Sequence, residues 1–172
     1  MKGIKFLFAL LFMFGIEAFA SAQSKKGEIW SGVDTHLSAF GGNSKRHVDI
    51  SYTLGYNVSN RFYAALNLGD AVSLFEKGVE KDHYMNITGG GEIGYDLFLL
   101  GKTSVSLQGG AGVTLDNKAW KYVYYDIMMN FGHRMDNVIP TIGYGVRYYD
   151  SMTRHFSNHA RFYVSLGCIV IM

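Results

Sequence analysis

The residues best suited to do chemistry in this chain lie close together near its end, in Arg154-His155-Phe156-Ser157-Asn158-His159-Ala160-Arg161-Phe162. A histidine hydrogen-bonded to a serine activates the hydroxyl as a nucleophile, and His155 and Ser157 are the pair spaced for it. Such a base also needs a third group to orient its imidazole. No Asp or Glu occurs in residues 159–172, and the nearest acid in sequence is Asp150. Metal binding is the second chemistry to weigh. Histidines stand at 36, 47, 83, 133, 155 and 159, and His47, His83, His155 and His159 fall in segments expected to be loops. Only His155 and His159 share an i, i+4 spacing, which gathers ligands on a helix but not on a strand or loop. The single cysteine, Cys168, supports neither an intrachain disulfide nor a thiolate site. No metal and no other cofactor is expected.

What those residues can do depends on the elements that carry them. The first residues, with Lys2 and Lys5, an apolar run from Phe6 to Phe14 and the small residues Ala20-Ser21-Ala22, have the layout of a secretory signal peptide. Residues 1–22 are therefore expected to be removed, leaving residues 23–172 as one domain. The whole chain has 16 Lys plus Arg against 14 Asp plus Glu, a balance that argues against nucleic acid as a partner. Beyond the signal, no apolar run is long enough for a transmembrane helix.

The dominant pattern has period two. From Val48 to Val58, apolar Val48, Ile50, Tyr52, Leu54, Tyr56 and Val58 alternate with Asp49, Ser51, Thr53, Gly55 and Asn57, which predicts a strand with one apolar and one polar face. Residues 104–115 and 159–172 repeat it clearly, and residues 28–40, 62–70, 84–96, 122–132 and 139–149 more weakly, making eight segments. On the polar parity stand Asp34, His36, Asp49, Glu92, Asp126, Arg147 and Arg161, with no titratable residue expected on the apolar one.

Two architectures share this pattern. A soluble periplasmic binding barrel of lipocalin type would turn the apolar face inward, whereas an outer-membrane barrel turns it to lipid and lines a small lumen with the polar one. Strands of about 10 to 11 residues suit a tilted membrane crossing. Aromatic residues near strand ends, at Phe62, Tyr95, Phe98, Tyr148, Tyr149 and Phe162, suit interfacial girdles. Compact turns are expected near 58–61, 97–103 and 133–138, and outer loops at 41–46, 70–83, 116–121 and 150–158. The longest, 70–83, carries both signs of charge at Glu76, Lys77, Glu80, Lys81 and Asp82 and is the candidate recognition loop.

Through these strands, through GGGEIGYDLF and LQGGAGVTL, and through the terminal RFYVSLGCIVIM, residues 27–172 resemble the small eight-stranded outer-membrane β-barrel proteins of Gram-negative bacteria. The resemblance implies an all-β fold, a single eight-stranded antiparallel up-and-down transmembrane β-barrel, located in the outer membrane after export. It implies contact with outer-membrane lipids, lipopolysaccharide and the barrel assembly machinery, and a monomeric state. At eight strands the lumen is just wide enough to be filled by side chains. The seven polar-parity charges are expected to plug it, in a protein with a non-enzymatic structural or surface-interaction role in the cell envelope.

A narrower resemblance is local. His155-Phe156-Ser157-Asn158 is similar to the His-x-Ser-Asn signature of the outer-membrane lipid A deacylases, which implies His155 as general base, Ser157 as nucleophile and Asn158 as an oxyanion-hole contributor. In that family an acidic residue from the final strand orients the histidine, and here the final strand has none. Extending the strand through Ile142, Tyr144, Val146 and Tyr148 would also turn His155 and Ser157 inward and Phe156 outward, away from the wall where an acyl chain lies. The deacylase-like esterase and the soluble lipocalin-like barrel stand as the two alternatives.

Overall fold

The computed structural model describes residues 25–40, 46–77, 80–116, 120–154 and 156–172, with the backbone alone at 39–40, 46, 75–77 and 80–82. The expected signal peptide and His155 lie outside the described residues. Eight strands follow one another in the chain: β1 (Ile29–Phe40), β2 (Arg46–Asn57), β3 (Phe62–Lys77), β4 (Glu80–Leu100), β5 (Thr103–Thr114), β6 (Tyr122–His133), β7 (Val138–Ser151) and β8 (His159–Ile171). Each pairs antiparallel with its sequence neighbours, and β1 pairs with β8, so the sheet closes into an up-and-down barrel. No helix occurs among the described residues.

The ladders also fix the lean of the strands. Paired residues traced once around the wall run from Ile29 through Tyr56, Ala64, Ile93, Gly109, Ile127, Val146 and Phe162 to Phe40, eleven positions further along β1. That stagger tilts the strands by about 40° to the barrel axis, the range in which a small barrel can close.

Alternation decides which side each residue faces. Val33 and Leu37, Ile50 and Leu54, Leu66 and Leu68, Ile87 and Ile93, Leu107 and Val113, Ile127 and Met129, Ile142 and Tyr144, and Leu166 and Val170 are all exposed on the outer wall. Between them, His36, Asp49, Thr53, Asn86, Thr88, Ser106, Gln108, Asn130, Arg147, Arg161 and Ser165 are buried inside. The barrel is thus polar within and apolar without, the reverse of the apolar core expected for a soluble lipocalin-like barrel.

So tight a wall needs room for its interior side chains. Four glycines supply it, each paired directly across the ladder with an inward aromatic: Gly55 with Trp30, Gly94 with Tyr63, Gly112 with Tyr124 and Gly145 with Tyr163. A Cβ at any of the four would fall inside the facing ring. One such pair stands in every second ladder around the barrel, so the aromatics cover the glycine backbone while the glycines let the wall bend sharply.

Four expectations are corrected. Residues 70–77 and 80–83 are not a loop: β3 continues to Lys77, β4 starts at Glu80, and the two form a ribbon that outruns β5. The reason is that alternation continues past Asp70, with Ala71 and Ser73 buried and Leu74 exposed. Asp70 consequently stands on the outer face between Ile50 and Ile87, so one carboxylate does lie on the apolar side. Tyr149 points inward and is buried, whereas its neighbour Tyr148 is exposed, because adjacent strand residues cannot share a face. His47 is a buried inward residue of β2 rather than a loop histidine.

Candidate functional site: a filled lumen and its rim

Arg147 organises the middle of the lumen. It stands on β7 directly opposite Asp126 of β6, and its Nε and Nη2 both donate to Asp126 Oδ2, at 2.9 and 2.6 Å. Across the barrel its Nη1 reaches Asp49 Oδ2 on β2 at 2.6 Å, and its Nη2 lies 3.2 Å from His36 Nδ1 on β1. The guanidinium also sits over the Tyr124 ring, 4.3 Å from its centroid, and 5.5 Å from that of Tyr163. Charge-assisted bonds of this kind favour arginine, whose planar fork serves several acceptors at once.

Register explains part of the arrangement. Arg147 and Arg161 are directly opposite each other on β7 and β8, a pairing of like charges that is unfavourable by itself. Arg147 turns to the two carboxylates, while Arg161 donates to Ser38 Oγ at 3.3 Å and is almost fully buried. Asp34 receives a bond of 3.5 Å from Ser165 Oγ, and Glu92 is bonded by the Asn67 side chain. Asp34, His36, Asp49, Glu92 and Arg147 line one small enclosed chamber with Ser51, Asn67, Thr88, Gln108 and Tyr124.

Aromatic layers close the lumen above and below that network. At the end where β1 begins and β8 ends, Trp30 and Tyr63 meet edge to face at 5.4 Å, and Trp30 Nε1 donates to Asn57 Oδ1 at 3.1 Å. The salt bridge from Arg134 to Glu28, 3.5 Å, ties the turn after β6 to the start of the barrel. At the loop end, the fully buried Trp120 packs on Tyr122, Tyr149 and Phe156 with centroid separations of 4.4, 5.7 and 5.6 Å. His47 and His159 both stack on this group, at 5.0 and 5.2 Å from Tyr149 and 6.1 Å from each other. His47 Nδ1 is also bonded to Ser73.

The rim motif takes a different shape from the expected one. β7 ends at Ser151, and residues 152–154 and 156–158 are not in a strand, so strand parity does not carry through to Phe156 and Ser157. Phe156, expected outward, packs against Trp120 and Tyr84 over the lumen mouth. Ser157 is exposed, and its carbonyl accepts from His159 Nδ1 at 2.9 Å. Asn158 clasps the loop: its Oδ1 accepts from Ser151 N and its Nδ2 donates to Asp150 Oδ1, both at 2.8 Å. Thus Asp150, the nearest acid to the motif, is engaged by Asn158.

Of the five charged residues of the recognition loop only the backbone is described. Register places Glu76 opposite Lys81 and Lys77 opposite Glu80 in the ribbon, with Asp82 opposite Phe75. No three His, Cys, Asp or Glu side chains converge on one point among the described residues. Sequence reasoning passed over Asp96, which is buried on the same parity of β4 as Glu92, and the neutral Asn67 on the inward face of β3. Parity would have found both.

Solved structures share this architecture, two of them as follows. The crystal structure of Neisserial surface protein A (NspA) superposes with a TM-score of 0.60 at 15% identity, over 87% of this chain and 97% of that one. A structure from the de novo design of transmembrane β-barrels gives a TM-score of 0.53 at 16% identity, over 87% and 99% respectively. No protein-family model and no curated protein matches the chain.

Proposed function

We propose that the protein is an outer-membrane barrel that spans the bilayer with a plugged lumen and serves the cell envelope as a structural or surface-interaction protein. One observation carries this reading: around the barrel the outer face of the eight strands is apolar save for Asp70, while the interior holds Asp34, Asp49, Glu92, Asp126, Arg147 and Arg161. In water such a continuous apolar band would drive association, and against hydrocarbon it is the stable arrangement. The outer wall over β6, β7 and β8 also has an apolar groove of about 480 Å³, lined by Leu37, Ile127, Met129, Val146, Phe162 and Val164, which suits an acyl chain. The architecture of the two matched structures, one titled a surface protein and one a transmembrane design, supports the same assignment.

The interaction role falls to the β3–β4 ribbon beyond the rim, where charges of both signs alternate along the chain. Lipopolysaccharide and other surface molecules are the partners within its reach, the assembly machinery being needed once, at insertion. Extraction of outer membranes followed by electrophoresis with and without boiling tests the location. A heat-modifiable band in the membrane fraction is expected, and recovery only as a soluble periplasmic protein would contradict it. In planar bilayers the protein should give no large steady conductance. The deacylase-like reading draws no support from Asn158, whose amide closes the loop. Loss of a lipid A acyl chain that depended on Ser157, read by mass spectrometry in cells with the intact protein and with Ser157→Ala, would restore it.

A further inference from the structure

The two ends of the lumen are closed differently. At the loop end Ser73, Trp120, Tyr122 and Tyr149 are almost wholly buried. Trp120 is pinned there by its Nε1 donating to Ser151 Oγ at 3.3 Å and by Asn86 Nδ2 donating to its carbonyl at 3.0 Å. The opposite end holds a vestibule of about 50 Å³. Glu28 just before β1, Ser104 near the start of β5, Ile139 near the start of β7 and Ile171 at the end of β8 line its mouth and are only half-buried. Ser106, Gln108 and Asn130 line it further in and are buried. Two acceptors there have no protein partner among the described residues: Asn130 Oδ1, and Gln108 Oε1, although Gln108 Nε2 donates to Tyr63 Oη. Buried amide oxygens of this kind are unfavourable unless a donor reaches them.

We propose that the lumen is a one-ended water inlet: a short file of ordered water enters past the ends of β1, β5, β7 and β8, donates to Asn130 Oδ1 and Gln108 Oε1, and stops at the Arg147 network, while the capped end stays dry. Water suits the site because the unmet groups are neutral amide acceptors and the flanking hydroxyls of Ser104 and Ser106 can both donate and accept. A water needs about 10 to 15 Å³ of such space, so the vestibule takes a few molecules and excludes larger solutes. Gln108 is the one residue that also lines the chamber of about 20 Å³ around Asp34, Glu92 and Arg147, which has room for about one more. Beyond it stand the ion pairs from Arg147 to Asp49 and Asp126 and then the aromatic cap, so the file does not cross the barrel. The interior carboxylates thus meet water from one side alone, the inner side of the membrane on the reading above. One-ended entry follows from the closed barrel and not from where the barrel resides, so its failure would leave the membrane reading standing.

The chain has two tryptophans, one at each end of the lumen, both buried and both with the indole N–H bonded: Trp30 to Asn57 in the vestibule and Trp120 to Ser151 under the cap. Hydrogen exchange of the two indoles therefore separates a wet end from a dry one. The full chain is ¹⁵N-labelled, refolded in detergent micelles and transferred to D₂O, with the indole signals assigned by their loss in Trp30→Phe and Trp120→Phe. The Trp30 proton is expected to exchange at least tenfold faster than that of Trp120. The Gln108 side-chain amide, assigned by its loss in Gln108→Leu, should exchange no slower than Trp30. Ser106→Val, which fills the vestibule, should slow Trp30 at least tenfold and leave Trp120 unchanged. Equal protection of the two indoles, faster exchange at Trp120, a Gln108 amide as protected as Trp120, or no slowing in folded Ser106→Val would overturn the proposal. Heat-modifiable migration reports whether Ser106→Val has folded, and if it has not, the wild-type rates decide.

Discussion

Arg147 makes two ion pairs, one along the wall and one across the lumen, and is buried while doing so. Removing one partner of a buried pair is far worse than never having had the pair, since the remaining charge is left desolvated. Arg147→Met is therefore expected to destabilise the barrel by about 3 to 5 kcal/mol in urea unfolding of the refolded protein. Adding Asp49→Asn and Asp126→Asn should recover a large part of that loss, because the orphaned carboxylates go too. A triple variant no more stable than Arg147→Met alone would show that the network is not the source of the cost. Asn158 sits in a different setting, on an exposed loop. Asn158→Ala removes two hydrogen bonds that close it, at a cost of roughly 1 kcal/mol, and protease sensitivity within 152–158 should rise while the barrel persists. The inward charges were legible in the sequence because period two assigns each to a face. Their partners were not: Asp49 and Arg147 lie on β2 and β7, and only barrel closure brings them together.

At the scale of elements, the strands themselves were legible wherever both faces were constrained. β2 alternates cleanly because each outer position is apolar and each inner position small or polar, and β8 departs from that only at its end, where the inner Ile169 and Ile171 pack against Trp30 and Tyr63. Past the rim that constraint lapses. Residues 75–77 and 80–83 carry charges on both parities and read as a loop, yet they continue the ladder. The start of β2 was misplaced for the same reason, which put His47 in a loop. The glycine and aromatic pairs were invisible from any one strand, since Gly94 and Tyr63 acquire meaning only once β3 and β4 are in register. Gly94→Ala should push its Cβ into the Tyr63 ring and destabilise the barrel by about 1 to 3 kcal/mol, measured by the same urea titration. Pairing it with Tyr63→Ala should relieve the clash, and a double variant showing no relief would argue against this packing. Shortening the ribbon by replacing residues 75–82 with a tight turn removes only the part beyond β5, so heat-modifiable migration should be unchanged.

For the whole molecule, fold and polarity answer different questions. A closed barrel of eight strands admits an apolar or a polar interior, and the periodicity of the sequence is the same in both. The interior found here, with Arg147, Arg161, Asp49 and His36 buried and Leu66, Leu107, Ile127 and Leu166 outside, selects the bilayer as its solvent. Strand β8 offers the most direct test, since its residues alternate between the two environments within a short stretch. Nitroxide labels placed one at a time from 162 to 168 in a Cys168→Ser background, with the protein in liposomes, report collision with oxygen and with a water-soluble nickel chelate. Labels at 162, 164, 166 and 168 should collide with oxygen and be shielded from nickel, while those at 163, 165 and 167 should be shielded from both. Nickel reaching the even positions, or loss of the alternation, would contradict the account.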